Sequence, residues 1–118
     1  MNKSLNDYRD EIFNNAEKHG FHERTNFAEK LMLVVSELGE ALEADRDDRY
    51  VKPEIYGYQL TDMQFRERVR GSVEEEIIDA IIRLLDICGI LKIDVDWLIE
   101  AKMKYNSSRP PLHGRKYG

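Results

Sequence analysis

Apolar residues recur along most of this chain at helical spacing, and no stretch alternates in the manner of a strand. Over 3–19, Leu5, Tyr8, Ile12, Phe13 and Ala16 form one stripe, with Ser4 or Asn6 to cap it and Gly20 to end it. Residues 21–24 read as a connection. A longer helix is predicted over 26–47, opened by Asn26 and Glu29 in a capping-box pattern. On it Phe27, Leu31, Val34, Val35, Leu38 and Leu42 fall on one broad arc, with Glu37 and Glu40 at its margin. Residues 48–71 are the least regular part, punctuated by Pro53, Gly57 and Gly71, with a short helix predicted over 62–69 behind Thr61-x-x-Gln64.

The helix predicted over 73–91 is different. Ser72-Val73-Glu74-Glu75 reads as its capping box, and Ile77, Ile78, Ala80, Ile81, Ile82, Leu84, Leu85, Ile87 and Cys88 cover most of its circumference. Such a helix belongs at the centre of a bundle or at a subunit interface. Its one gap is charged: with Glu76 at zero, Asp79, Arg83 and Asp86 fall at about 300°, 340° and 280°. Gly89 and the Lys92-Ile93 step are read as its end. A last helix, capped by Asp94 or Asp96, carries Val95, Leu98, Ile99, Ala101, Met103 and Tyr105 as core candidates until Pro110-Pro111 stops it. The predicted fold class is all-α: a single domain over 1–118, most simply a four-helix bundle, with an irregular insert over about 48–71 and a basic tail over about 110–118.

Composition narrows the function classes. The chain has 118 residues, 35% of them charged, and a formal net charge of −5. That acidity argues against a binder of nucleic-acid polymers, which usually presents a basic face. No apolar run is long enough to span a bilayer, so no membrane partner is expected. A single cysteine, Cys88, cannot close an internal disulfide, which makes a cytoplasmic setting the expectation. Cys88 follows the apolar arc and reads as a small core residue. His19 and His22 read as surface or turn residues, and His113 sits in the basic tail.

Two acidic stretches carry the candidate chemistry. Glu37-x-x-Glu40 and Glu76-x-x-Asp79 each place two carboxylates on one helix face. Taken singly, each reads as solvated helix surface. The second, however, lies on a helix with little surface to spare, where unpaired carboxylates are costly and a hard divalent cation would satisfy them. Other metal sites fit worse: neither stretch holds the Glu-x-x-His of a di-iron bundle, and Asp45-Arg46-Asp47 lacks the glycine and final glutamate of a calcium loop. Near the C-terminus Lys102, Asn106 and Arg109 recur at spacings of four and three. They read either as the cationic end of an amphipathic helix or as donors for phosphate oxygens, with Arg115 and Lys116 adding reach.

These residues resemble a known family, the MazG-like all-α nucleoside triphosphate pyrophosphohydrolases. Leu31 to Glu43 is similar to the first motif helix of that family and Glu76 to Asp94 to the second, while Lys102-x-x-x-Asn106-x-x-Arg109-Pro110 resembles its closing segment. The resemblance spans roughly residues 25–111. It implies a helical fold that oligomerises, magnesium dependence (manganese as a substitute), and cleavage of a nucleoside triphosphate between the α and β phosphates to give a monophosphate and pyrophosphate. Carried onto this chain, it makes Glu37, Glu40, Glu76 and Asp79 the metal ligands and Lys102, Asn106 and Arg109 the phosphate contacts or braces. The segment Ala41 to Glu75 is longer than in compact members of that family.

On this reading Glu40, not fully used in ligation, takes the proton of the attacking water, and Arg83 joins the phosphate contacts. The tyrosines of the insert (Tyr50, Tyr56, Tyr58) and Phe27 are candidates to hold the base. The apolarity of the third long helix predicts a homodimer or homotetramer, with sites that a second subunit could complete. Two other functions fit the same residues: a phosphoribosyl-ATP pyrophosphohydrolase-like enzyme, and a non-enzymatic helical interaction or regulatory module.

Overall fold

A computed structural model describes residues 2–110, whose regular elements are all helices, with no strand. Helix α1 runs Leu5–Lys18, α2 Phe21–Arg24, α3 Phe27–Arg46, α4 Asp62–Arg68, α5 Val73–Ile90 and α6 Val95–Ser108, with one 3-10 turn at Pro53–Ile55. The tail containing His113, Arg115 and Lys116 lies outside the described residues. Among those described, no helix is long and apolar enough to cross a membrane.

Local chemistry sets the boundaries. Ser4, Asn26 and Thr61 each close a capping box with the residue three further on, Asp7, Glu29 and Gln64. Ser72 accepts from the Glu75 amide, but the Glu75 carboxylate turns outward to the Gly71 N–H at 2.7 Å, so the box predicted there is only half formed. Gly20 takes a left-handed φ of 73° after α1, and the chain winds one helical turn, α2, where a plain connection was expected.

The centre is α5, packed mainly against α3 and α1. Gly89 lies inside this helix rather than at its end. A Cβ there would stand 2.8 Å from the Phe13 Cβ, so the glycine is what lets α1 approach α5. Helix α6 is tied to the start of α1: Asn6 donates to Asp94 and accepts from the Val95 N–H, and Arg9 donates to the Ile93 carbonyl at 2.6 Å. The insert is anchored at both ends. Val73 donates to the Arg49 carbonyl, Val51 to the Glu74 carboxylate and Arg49 to the Arg70 carbonyl, while Val51 and Ile55 are buried.

The core is small. Val34, Ala80 and Ile87 form its one buried apolar cluster, and no side chain among the described residues is less than 2% exposed. The arc predicted to be the core face of α3 is mostly outside it. The helix buries Lys30, Val34, Glu37 and Ala44, a stripe roughly 100° around from that arc. Phe27, Leu31, Val35, Leu38 and Leu42 remain 42–53% exposed. On α5, Ile77, Ile78, Ile81, Ile82 and Leu84 are likewise exposed, and of the core candidates on α6 only Val95 is buried.

Candidate functional site

The inward stripe of α3 carries Glu37 onto the charged strip of α5. Ligand oxygens of Glu37, Glu76 and Asp79 all lie within 4.8 Å of one another, with Glu37 buried and the other two half-buried. The helices run antiparallel: the Val73 N–H at the start of α5 donates to the Arg49 carbonyl just past the end of α3, while Glu37, in mid-α3, meets Arg83 further along α5. Glu40 stays exposed beside the three. Glu74 and Glu75 are occupied by the Val51 and Gly71 amides, which leaves Glu76 as the member of that acidic run turned to the cluster.

Concentrated negative charge shows in the proton affinities. Glu76 is pushed up to about 7, first by burial and then by repulsion from Glu40, Asp79 and Glu37. Asp79 is raised as well, chiefly by burial, with Glu37 and Glu75 adding to it and Arg83 opposing. Among the described residues the nearest counter-charge is Arg83, whose Nε donates to Glu37 Oε2 at 2.6 Å. Its guanidinium carbon stands 5.7 Å from the centre of the Phe21 ring, which also has Lys30 Nζ at 4.9 Å. Lys30 is itself buried and donates to the Thr25 carbonyl and hydroxyl.

The fourth charge of the strip, Asp86, is 4% exposed and does not join the cluster. His22 holds it: Nε2 lies 2.8 Å from Asp86 Oδ1, Nδ1 lies 2.6 Å from Glu17 Oε1, and the ring packs on Phe13. The histidine sits in α2 rather than in a turn, and its ring is largely covered between two carboxylates rather than at the surface. Burial alone would lower its pKa, and the bonds to Asp86 and Glu17 more than reverse this, so the net shift is upward. A raised folded-state value means that the stabilisation is complete below the usual histidine pKa and is lost as pH rises through the folded value. His22→Ala is therefore expected to cost about 3 kcal/mol near pH 6. The difference from wild type should shrink near pH 9, read by urea denaturation of both proteins.

Of the predicted phosphate donors among the described residues, Arg83 borders the cluster and the other three stand elsewhere in the single chain. Lys102 and Arg109 flank the Tyr105 ring at 5.2 and 5.5 Å, and Asn106 presents an enclosed Oδ1 with no hydrogen-bond donor. Helix α6 packs on α1, and neither the carboxylate cluster nor the hollow beside it includes these three residues. That hollow is bordered by α1 and α2, with Tyr8 and Phe21 as its aromatic residues, and not by Phe27 or the tyrosines of the insert. Cys88 is half-buried, with its thiol raised by burial, the behaviour of a packed side chain. No protein-family model, curated protein or solved structure matches the chain.

Proposed function

We propose that this protein is a divalent-cation-dependent pyrophosphohydrolase of nucleoside triphosphates, a helical oligomer of the MazG-like kind, cleaving between the α and β phosphates. The observation that carries the reading is the convergence of Glu37, Glu76 and Asp79 from two helices, with Glu76 and Asp79 raised in proton affinity first by burial and then by neighbouring carboxylates. Hard carboxylate oxygens in such a set fit magnesium or manganese. Bound there, the cation would supply Lewis-acid stabilisation of charge on the phosphates.

The protein's own groups divide the remaining work. Glu37, Glu76 and Asp79 would hold the cation. Glu40 is the solvated carboxylate next to them and is the base that takes the proton of the attacking water. Arg83 stands at the same level as Glu37 and offers donors to phosphate oxygens. Lys102, Asn106 and Arg109 serve the site only where a second copy presents its α6, and the uncovered apolar arc of α3 supports such an assembly.

The test is release of pyrophosphate from a panel of normal, modified and deoxy triphosphates, and from phosphoribosyl-ATP, with magnesium present. Activity on some member of the panel is expected, and Asp79→Ala should lower it by about a thousandfold while keeping wild-type circular dichroism. A folded Asp79→Ala that hydrolyses at the wild-type rate, or a wild type inert across the panel, overturns the assignment.

A further inference from the structure

The hollow beside the carboxylates has a volume of about 700 Å³ and lies between α1 and α5. Ile12, Ala16 and Ile82 give it an apolar wall, and Glu37, Asp79 and Arg83 also line it. Three of its four carboxylates are individually answered. Glu37 is paired with Arg83 at 2.6 Å, Asp86 with His22 at 2.8 Å and Glu11 with Lys3 at 2.6 Å. Asp79 forms no ion pair among the described residues. A cation shared by Glu37, Glu76 and Asp79 would answer this last charge, and only then could an anion enter the hollow without strong repulsion.

Arg83 is placed to respond to that event. Its single hydrogen bond among the described residues uses Nε, and it goes to Glu37, a member of the cluster. The Phe21 ring supports its guanidinium without consuming a donor. The two outer nitrogens, which together match two phosphate oxygens, have no protein partner among the described residues. A cation that draws on the Glu37 carboxylate therefore competes directly with Arg83 for it.

We propose that this hollow receives the polyphosphate of the substrate, and that Arg83, held by Glu37 until a divalent cation takes that carboxylate, is the residue that grips it. The proposal rests on the reading of the cluster as a metal site. It makes the cation and the polyphosphate cooperative ligands: the first releases the arginine that the second needs. It also predicts an effect of unusual sign. Glu37→Gln removes a metal ligand, yet it frees Arg83.

Calorimetry tests this with manganese ion alone and with inorganic pyrophosphate alone, on proteins checked for folding by circular dichroism. In cation-free buffer Glu37→Gln should bind pyrophosphate about tenfold more tightly than wild type, and the Glu37→Gln/Arg83→Gln double variant should lose that gain. Arg83→Gln alone should bind manganese several-fold more tightly than wild type, a result that does not depend on Glu37→Gln being folded. Three results overturn the proposal while leaving the metal site standing. The first is Glu37→Gln gaining nothing. The second is the double variant keeping the gain, because removal of any negative charge would then explain it. The third is Arg83→Gln losing manganese affinity, the mark of a residue that only braces Glu37. A wild type that binds no manganese removes the metal reading itself.

Discussion

Glu76→Gln raises the thermal midpoint of the cation-free protein by about 5–10 °C near pH 8 and has little effect near pH 5. Glu76 is held up at about 7, from an ordinary value of 4.5, by burial and by Glu40, Asp79 and Glu37. A carboxyl group whose folded pKa lies above its unfolded value destabilises the fold when ionised. That cost is absent below about 4.5, grows between 4.5 and about 7 as the unfolded state releases its proton first, and is constant above. A shift of this size corresponds to a cost of at most about 3 kcal/mol, solvent screening of a half-buried group lowers it, and glutamine, uncharged and of similar shape, escapes about half of that upper figure. A divalent cation should do for the wild type what the substitution does for the variant. Magnesium is therefore expected to raise the wild-type midpoint more near pH 8 than near pH 5, and to leave Glu76→Gln almost unchanged. Scanning fluorimetry at the two pH values, with and without magnesium, reads all of this. A Glu76→Gln protein no more stable than wild type near pH 8 would show that the cluster carries no unrelieved charge.

On the proposed reading, such a cost in the resting state marks a site built for a ligand rather than for stability. The arrangement also explains why the site was only partly legible in the sequence. The helix boundaries could be read because their determinants are local: Ser4, Asn26, Thr61, Ser72 and Asp94 each accept from the amide three residues on. The pairing of the two acidic stretches was an inference from spacing, and three of its four carboxylates converge. The exposure of Glu40 had no local signal. Which face of α3 turns inward could not be read from periodicity either. The apolar arc dominates that pattern, whereas contact with α5 selects Val34 and Glu37. Gly89 looked like a stop because glycine weakens helices, yet its role is set by Phe13, which is 76 residues away in the chain (89 − 13) and presses where a Cβ would stand. The burial of His22 depends on Asp86, 64 residues on, and no motif links the two.

Val35→Asp is expected to convert the proposed oligomer to a monomer at micromolar concentration. Val35 sits on the arc with Leu31, Leu38 and Leu42, and all four remain 42–53% exposed in the single chain. A contiguous apolar stripe of this kind on a charge-rich surface is the feature that an association site presents. The Cα radius of gyration, 16.9 Å, exceeds the roughly 13–14 Å of a compact chain of this length, and none of the described elements buries this arc. A second copy is the simplest cover, because an identical arc supplies an equally apolar surface and a two-fold axis closes the assembly. Each half-exposed side chain then gains about 1 kcal/mol on burial. In a two-fold interface one substitution acts twice, and an aspartate on the axis-facing stripe adds an unpaired buried charge in each copy. Loss of at least about 3 kcal/mol, or more than a hundredfold in the dissociation constant, is expected. Because Val35 is exposed in the monomer, the variant should keep its helical circular dichroism, and Leu42→Asp should behave alike. Light scattering at matched concentrations decides the matter. A monomeric wild type, or a Val35→Asp that stays associated, would assign the arc to something other than self-association.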